Sequence, residues 1–211
     1  MLGVSANAGG TAASAAITNS ADENPIILVM GDSISAAYGI QREQGWVYLL
    51  EQRLKTQGLP WRVVNASLSG ETTGGGLARL PLALETHEPA LVILELGGND
   101  GLRGYPINRV RDNLKAMVEL ALADQSQVLL VGMQIPPNYG PRYTRSFYAM
   151  YEDIAADTDS ALVPFLLEAV ALESGMMQAD GVHPTAEAQP LLLDTLWPHL
   201  EDLLAAPVTS D

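Results

Sequence analysis

The chain has no cysteine. Disulfides, thiolate catalysis and cysteine-ligated metals are thereby excluded. The redox compartment stays open, because 211 residues need no covalent staple to fold. Positive charge is scarce. Eleven Lys and Arg face 25 Asp and Glu, for a net charge of −14, and the only lysines are Lys55 and Lys115. Phosphate backbones and anionic membrane surfaces attract concentrated positive charge, so neither nucleic acid nor acidic lipid is expected as a partner. The acidity itself reads as a source of solubility. There is no run of 18 apolar residues to span a bilayer, hence no integral membrane segment. No internal period marks a repeat array.

What the chain does have is apolar mass, 47% of its residues. That is enough for one sizeable core and short for two ordinary domains. One domain is expected over residues 25–204, followed by a C-terminal tail at 205–211. Residues 1–24 are rich in Ala, Ser, Gly, Asn and Thr and read as a flexible leader or tail. They lack the basic start and continuous apolar stretch of a secretory signal. A remnant of an export leader, a cloning scar and a simple tail are all compatible with that composition.

Strands and helices alternate along the domain. Ile26–Met30 is a continuous apolar run, the pattern of a parallel strand covered on both faces. Trp61–Asn65, Ala90–Leu96, Val128–Met133 and a short Ala161–Val163 follow as strands. Helices are expected over Gln44–Thr56, Thr73–Glu85 with Pro81 as a local defect, Ile107–Ala123, Arg142–Asp157 and Ala188–Leu204 with bends at Pro190 and Pro198. This alternation implies βαβ crossovers and a three-layer α/β sandwich. Ser33, Gly97–Asp100 and Pro136–Gly140 each fall just after a strand. They should converge on the carboxyl edge of the sheet, where such folds keep their sites.

Ser33 ends the block Gly31-Asp32-Ser33, and far downstream Asp180 and His183 lie three residues apart. A serine hydroxyl is a poor nucleophile until an imidazole accepts its proton, and an acid must orient that imidazole. Taken singly, Ser33 reads as a turn hydroxyl, His183 as a packing imidazole and Asp180 as a turn acid before glycine. Taken together they point to a serine hydrolase. The other histidines, His87 and His199, sit in helices without a paired acid. Acyl transfer also needs donors for the developing oxyanion. The amides of Ser33 and Gly70 and the side chain of Asn99 are the candidates, with turn formation as the plainer reading of Gly70 and Asn99.

These blocks resemble the SGNH, or GDSL, hydrolase family. Gly31-Asp32-Ser33, Gly70, Gly98-Asn99-Asp100 and Asp180–His183 match its four blocks. The stretches Gly31–Gly39, Val64–Ser67, Leu94–Gly104 and Pro137–Gly140 are similar to the bacterial thioesterase I/protease I/lysophospholipase L1 group and its arylesterases. The resemblance spans roughly residues 25–204. It implies a flavodoxin-like sheet of five parallel strands in the order 2-1-3-4-5. It also implies Ser33, Asp180 and His183 as the triad, and Ser33, Gly70 and Asn99 as the oxyanion hole. A periplasmic or secreted location is implied as well, or a cytoplasmic one if the N-terminal segment is native and complete.

The expected reaction is hydrolysis of a small acyl ester or thioester through an acyl-serine, with no metal and no organic cofactor. The expected assembly is a monomer or a weak homodimer. Gly101, Leu102, Arg103, Gly104, Ile135, Pro136, Pro137, Asn138 and Tyr139 are the candidate substrate wall. In similar enzymes the loop after the Gly-Gly-Asn-Asp segment moves as acyl chains bind, which makes Gly101–Gly104 a gate here. Met176 and Met177 either line an apolar groove or pack beside it. Rival readings are a carbohydrate O-deacetylase of the same fold, a noncatalytic binding module, a flavin or nucleotide binder, and a metal site on Asp180 and His183. The phosphate cradle of a P-loop is missing, and so is a third metal ligand nearby.

Overall fold

A computed structural model describes residues 24–205. The leader and C-terminal tail expected at 1–24 and 205–211 lie outside the described residues, apart from Asn24 and Ala205. Five parallel strands form one sheet in the order β2-β1-β3-β4-β5. They are β1 (Ile26–Gly31), β2 (Arg62–Asn65), β3 (Leu91–Glu95), β4 (Gln127–Val131) and β5 (Ala161–Val163). The helices are α1 (Trp46–Thr56), α2 (Thr73–His87), the short α3 (Gly98–Leu102), α4 (Ile107–Ala123), α5 (Pro141–Thr158) and α6 (Gln189–Ala205). Helices α1 and α6 pack together, while α2 packs on α4 and α4 on α5. The sheet lies between these two helical layers.

The three central strands explain why the frame is rigid. Ile27–Met30, Leu91–Leu94 and Leu129–Val131 have no exposed surface. Each such side chain contributes about 1.5–3 kcal/mol by leaving water. Because all strands are parallel, their carboxyl ends open on one edge. Register places Gly31 beside Glu95, so the turn after β1 and the turn after β3 start side by side.

Several boundaries differ from expectation, each for a local reason. Residues Arg42–Gln44 form a single 3₁₀ turn, and α1 starts only at Trp46 because Gly45 is extended there. The Gln189 side chain then caps α1 by accepting the Trp46 N–H at 3.0 Å. Helix α2 runs through Pro81 to His87, so this proline costs a ladder hydrogen bond without ending the helix. Pro190 is the second residue of α6, where its missing N–H has no intrahelical partner to lose, whereas Pro198 lies inside. Helix α3 replaces the loop expected after Gly97, which has a positive φ and turns the chain into it. Met176 and Met177 pack against the core, and Met177 bridges Pro184.

Candidate active site

The turn that carries Ser33 begins where β1 ends. Its frame is the Ala36 N–H to Asp32 carbonyl bond (3.0 Å) and the Tyr38 N–H to Ser33 carbonyl bond (3.0 Å). Beneath it lies Glu95, the last residue of β3 and wholly buried. Its Oε2 accepts the Asp32 N–H at 3.2 Å and the Ser35 hydroxyl at 2.7 Å. A Cβ on Gly31 would stand 2.7 Å from that same oxygen, so only glycine lets the carboxyl sit under the turn.

Burial pushes the Glu95 carboxyl well above the usual range, and the neighbouring Asp32 carboxyl adds to the effect. Burial also raises Asp32, to about 6, against the opposing pull of the Ile34 N–H. A raised Glu95 has a direct consequence for stability. Above the pKa of the unfolded side chain, about 4.3, the folded chain holds a proton that the unfolded chain has released. The Glu95 contribution to wild-type stability therefore falls as pH rises through that window. Glu95→Gln keeps an oxygen for Asp32 and Ser35 but cannot ionise. The Tm difference, variant minus wild type, is expected to grow between about pH 4 and about pH 8 in thermal melts. A difference that stays flat contradicts the raised value.

His183 reaches the turn from a loop before α6. Its Nε2 stands 2.8 Å from Ser33 Oγ, and its Nδ1 stands 2.7 Å from Asp180 Oδ2. The other Asp180 oxygen accepts the Val182 and His183 N–H groups at 2.9 and 3.0 Å. The Nδ1 contact, followed by those two N–H groups, lowers Asp180 to about 2. Asp180 is thus a carboxylate at neutral pH and can only accept. The proton of neutral His183 sits on Nδ1, and the Nε2 lone pair faces the Ser33 hydroxyl.

Asn99 stands on α3, one residue after the glycine that opens it. Asp100 fixes this helix by accepting the Thr73 N–H at 2.9 Å and the Thr73 hydroxyl at 2.7 Å. Asn99 Nδ2 donates to Asp32 Oδ2 at 3.0 Å. That contact orients the amide and leaves its second N–H for another acceptor. Gly70 lies in the loop after β2. Arg79 ties this loop down through Glu71 (2.7 Å) and the Ala66 carbonyl (3.1 Å). Neither the Ser33 nor the Gly70 N–H donates to another described residue. The sheet edge therefore sets the Ser33 amide and the Asn99 side chain, each with a donor to spare, beside a serine–imidazole–carboxylate line, while Gly70 lies on the loop whose Leu68 N–H is bonded to the Gly31 carbonyl at 3.1 Å. Such a set can attack a carbonyl carbon and hold the charge that forms on its oxygen.

The two expected wall segments meet each other. The Tyr139 hydroxyl donates to the Leu102 carbonyl at 2.7 Å, and Arg103 donates to the Gly70 carbonyl at 3.2 Å. Gly101 and Ile135 are buried beneath them, while Gly104, Pro136, Pro137 and Asn138 face solvent. A cavity of about 510 Å³ adjoins the wall, bounded by Tyr139, Tyr143, Arg142 and Ile107. A polar cavity of about 270 Å³ lies beside the serine turn, against Ser35, Arg42 and Ser67, and the triad residues do not line it. Among the described residues no His, Asp and Glu cluster could hold a metal.

Three residues at the site escape a reading of the chain alone. Glu95 carries a visible signal, a lone acid in an otherwise apolar strand. Leu68 is half exposed two residues before Gly70. Gln178 reaches the serine turn from the acid–imidazole loop and donates to the Tyr38 carbonyl at 2.9 Å.

Comparison with known proteins identifies the family. Residues 29–190 match the model of the GDSL-like Lipase/Acylhydrolase family. Esterase TesA of Pseudomonas aeruginosa is 56% identical over 178 residues, 84% of this chain and 89% of that protein. Thioesterase 1/protease 1/lysophospholipase L1 of Escherichia coli K12 is 40% identical over 84% of each chain. The crystal structure of the psychrotrophic esterase EstA from a Pseudoalteromonas species, inhibited by monoethylphosphonate, superposes with a TM-score of 0.83 at 42% identity. That match covers 87% of this chain and all of the other. The blocks around Ser33, Gly70, Asn99 and His183, the strand order and these relatives together make the chain a member of the GDSL-like lipase/acylhydrolase family.

Proposed function

We propose that this carboxylic ester hydrolase works through a covalent acyl-serine, with Ser33 as nucleophile, His183 as proton carrier and Asp180 as the group that orients the imidazole. The observation that carries the reading is the hydrogen-bonded line from Ser33 Oγ to His183 Nε2 (2.8 Å) and from Nδ1 to Asp180 (2.7 Å). As Ser33 attacks the acyl carbon, its proton passes to Nε2. The charge on the carbonyl oxygen is met by the Ser33 and Gly70 amides and the free N–H of Asn99. The imidazolium then protonates the departing alcohol, phenol or thiol. Water, deprotonated by the same nitrogen, releases the acid and restores the hydroxyl.

Acyl esters and acyl thioesters, with lysophospholipid-type esters among them, are the substrates this reading assigns. The names of the Pseudomonas and Escherichia relatives support those classes. So does the exposed apolar surface of Tyr38, Leu68 and Tyr139 on the turns and loops that follow the strands. The wall segments at 101–104 and 135–139 would hold the acyl chain. Periplasmic or secreted action completes the proposal. No helix of the described residues is long and apolar enough to cross a membrane.

A panel of aryl esters, acyl thioesters and a lysophospholipid tests the reading. All turnover is expected to vanish together in Ser33→Ala. Persistence of any one activity would assign it to a different centre. Asn99→Ala is expected to lower kcat by about 10²–10³-fold with little change in KM, since its second N–H matters only once the oxyanion forms. Loss confined to KM would instead make Asn99 a substrate contact.

A further inference from the structure

The serine and the imidazole come from segments 150 residues apart, and each sits on an irregular stretch of chain. Irregular surface loops open at low free-energy cost, so the alignment needs its own restraint. The acid–imidazole loop is first closed on itself. Met177 bridges Pro184, the Thr185 N–H donates to the Met176 carbonyl at 2.8 Å, and the Gln178 N–H donates to the His183 carbonyl at 2.7 Å. The Gln178 carbonyl accepts the Gly181 N–H at 2.9 Å, which closes the turn holding Asp180.

The Gln178 side chain then leaves this loop. A primary amide has two N–H groups. Gln178 Nε2 donates to the Pro184 carbonyl at 3.0 Å, on its own loop, and to the Tyr38 carbonyl at 2.9 Å, on the serine turn. The Tyr38 N–H is in turn bonded to the Ser33 carbonyl. Apart from the contact between Ser33 and His183 themselves, this is the one hydrogen bond among the described residues that joins 32–40 to 176–185. The neighbouring residue fits the same role. Gly39 has a φ of +76°, and a Cβ there would collide with the Gln178 amide oxygen. The Tyr38 ring stands against the His183 ring, tilted by 38° with centroids 4.4 Å apart, so the residue that accepts from Gln178 also touches the imidazole.

We propose that Gln178 is a positioning residue, whose amide pins the turn carrying Ser33 to the loop carrying Asp180 and His183 and thereby sets the distance between hydroxyl and imidazole. The proposal rests on Ser33 and His183 acting as nucleophile and base. Misplacement by about 1 Å at such a pair costs about 10²-fold in rate.

Gln178→Met keeps the volume and removes both donors. Gln178→Glu removes the same donors and serves if the first variant is poorly folded. A slow phosphonate label counts competent sites, and kcat for an aryl ester is then expressed per labelled site. The expected result is about one label per chain, KM close to wild type, and kcat per site lowered about 10- to 100-fold, with phosphonate inactivation slowed by a like factor. A merely structural role would lower the number of labelled sites and leave the rate per site untouched. The clamp is overturned if kcat per site stays within about twofold of wild type while Ser33→Ala and Asp180→Asn are inactive. If Ser33→Ala keeps its activity, it is the underlying assignment of nucleophile that fails.

Discussion

Ser33→Ala is expected to reduce kcat by about 10⁵–10⁶-fold while leaving the fold intact. The size of the loss follows from the chemistry. Without the hydroxyl, no acyl-serine forms, and what remains is the donor set acting on direct attack by water. The harmlessness to folding follows from the structure. The Ser33 hydroxyl makes one hydrogen bond, to His183, and the turn is held by backbone bonds and by Glu95. Thermal melts should coincide with wild type within a few degrees, since only about one modest hydrogen bond is removed. Turnover above about one per cent of wild type would place the nucleophile elsewhere.

The second large effect is expected for Asp180→Asn, a loss of about 10⁴-fold in kcat. The local hydrogen bonds dictate how the new amide must sit. The Val182 and His183 N–H groups both require an acceptor at the Oδ1 position, so the amide oxygen stays there. The amide nitrogen then faces His183 Nδ1 and donates to it. Nδ1 becomes the acceptor, the ring proton moves to Nε2, and Nε2 can no longer take the Ser33 proton. Binding is untouched, so the fall belongs in kcat. Asp180→Ala lacks that obligatory donor, and it is expected to lose less than Asp180→Asn or no more. An asparagine variant that retains most of its kcat would show that His183 needs no carboxylate to select its tautomer.

Much of the frame was legible because burial writes a period into the chain. Ile107–Ala123 was readable to the residue, since Val110, Leu114, Met117 and Val118 recur at helical spacing after Pro106. The continuous apolar run before Gly31 marked a strand covered on both faces, and β1 is buried along nearly all its length. Short elements carry no such period. Five residues of α3 and three of the Arg42–Gln44 turn are too few to repeat anything. Their geometry is set by Gly97 and Gly45, and glycine alone does not say which way the chain will turn.

The site divides along the same line. Ser33, Asp180 and His183 were legible because few residue types can do this chemistry and only three histidines compete for one role. Gly70 and Asn99 stood out by their blocks; the fold bonds Asn99 to Asp32 of the serine turn and the Gly70 carbonyl to Arg103. Gln178 was not legible. A glutamine in a polar loop is ordinary, and its meaning comes from Tyr38, which only the folded chain brings within 2.9 Å. Glu95 lay between the two cases. An acid in a buried strand is visible as an anomaly, but its partners are the Asp32 N–H and the Ser35 hydroxyl, some 60 residues away.

Mass spectrometry of the trapped acyl-enzyme reaches the chemistry most directly. Wild type is mixed with an activated aryl ester, quenched in acid within the first turnover, and digested to peptides. The acyl group should sit on Ser33 alone, at close to one per chain, and should disappear from Asp180→Asn over the same interval. An acyl group on any other side chain would contradict nucleophilic catalysis by Ser33.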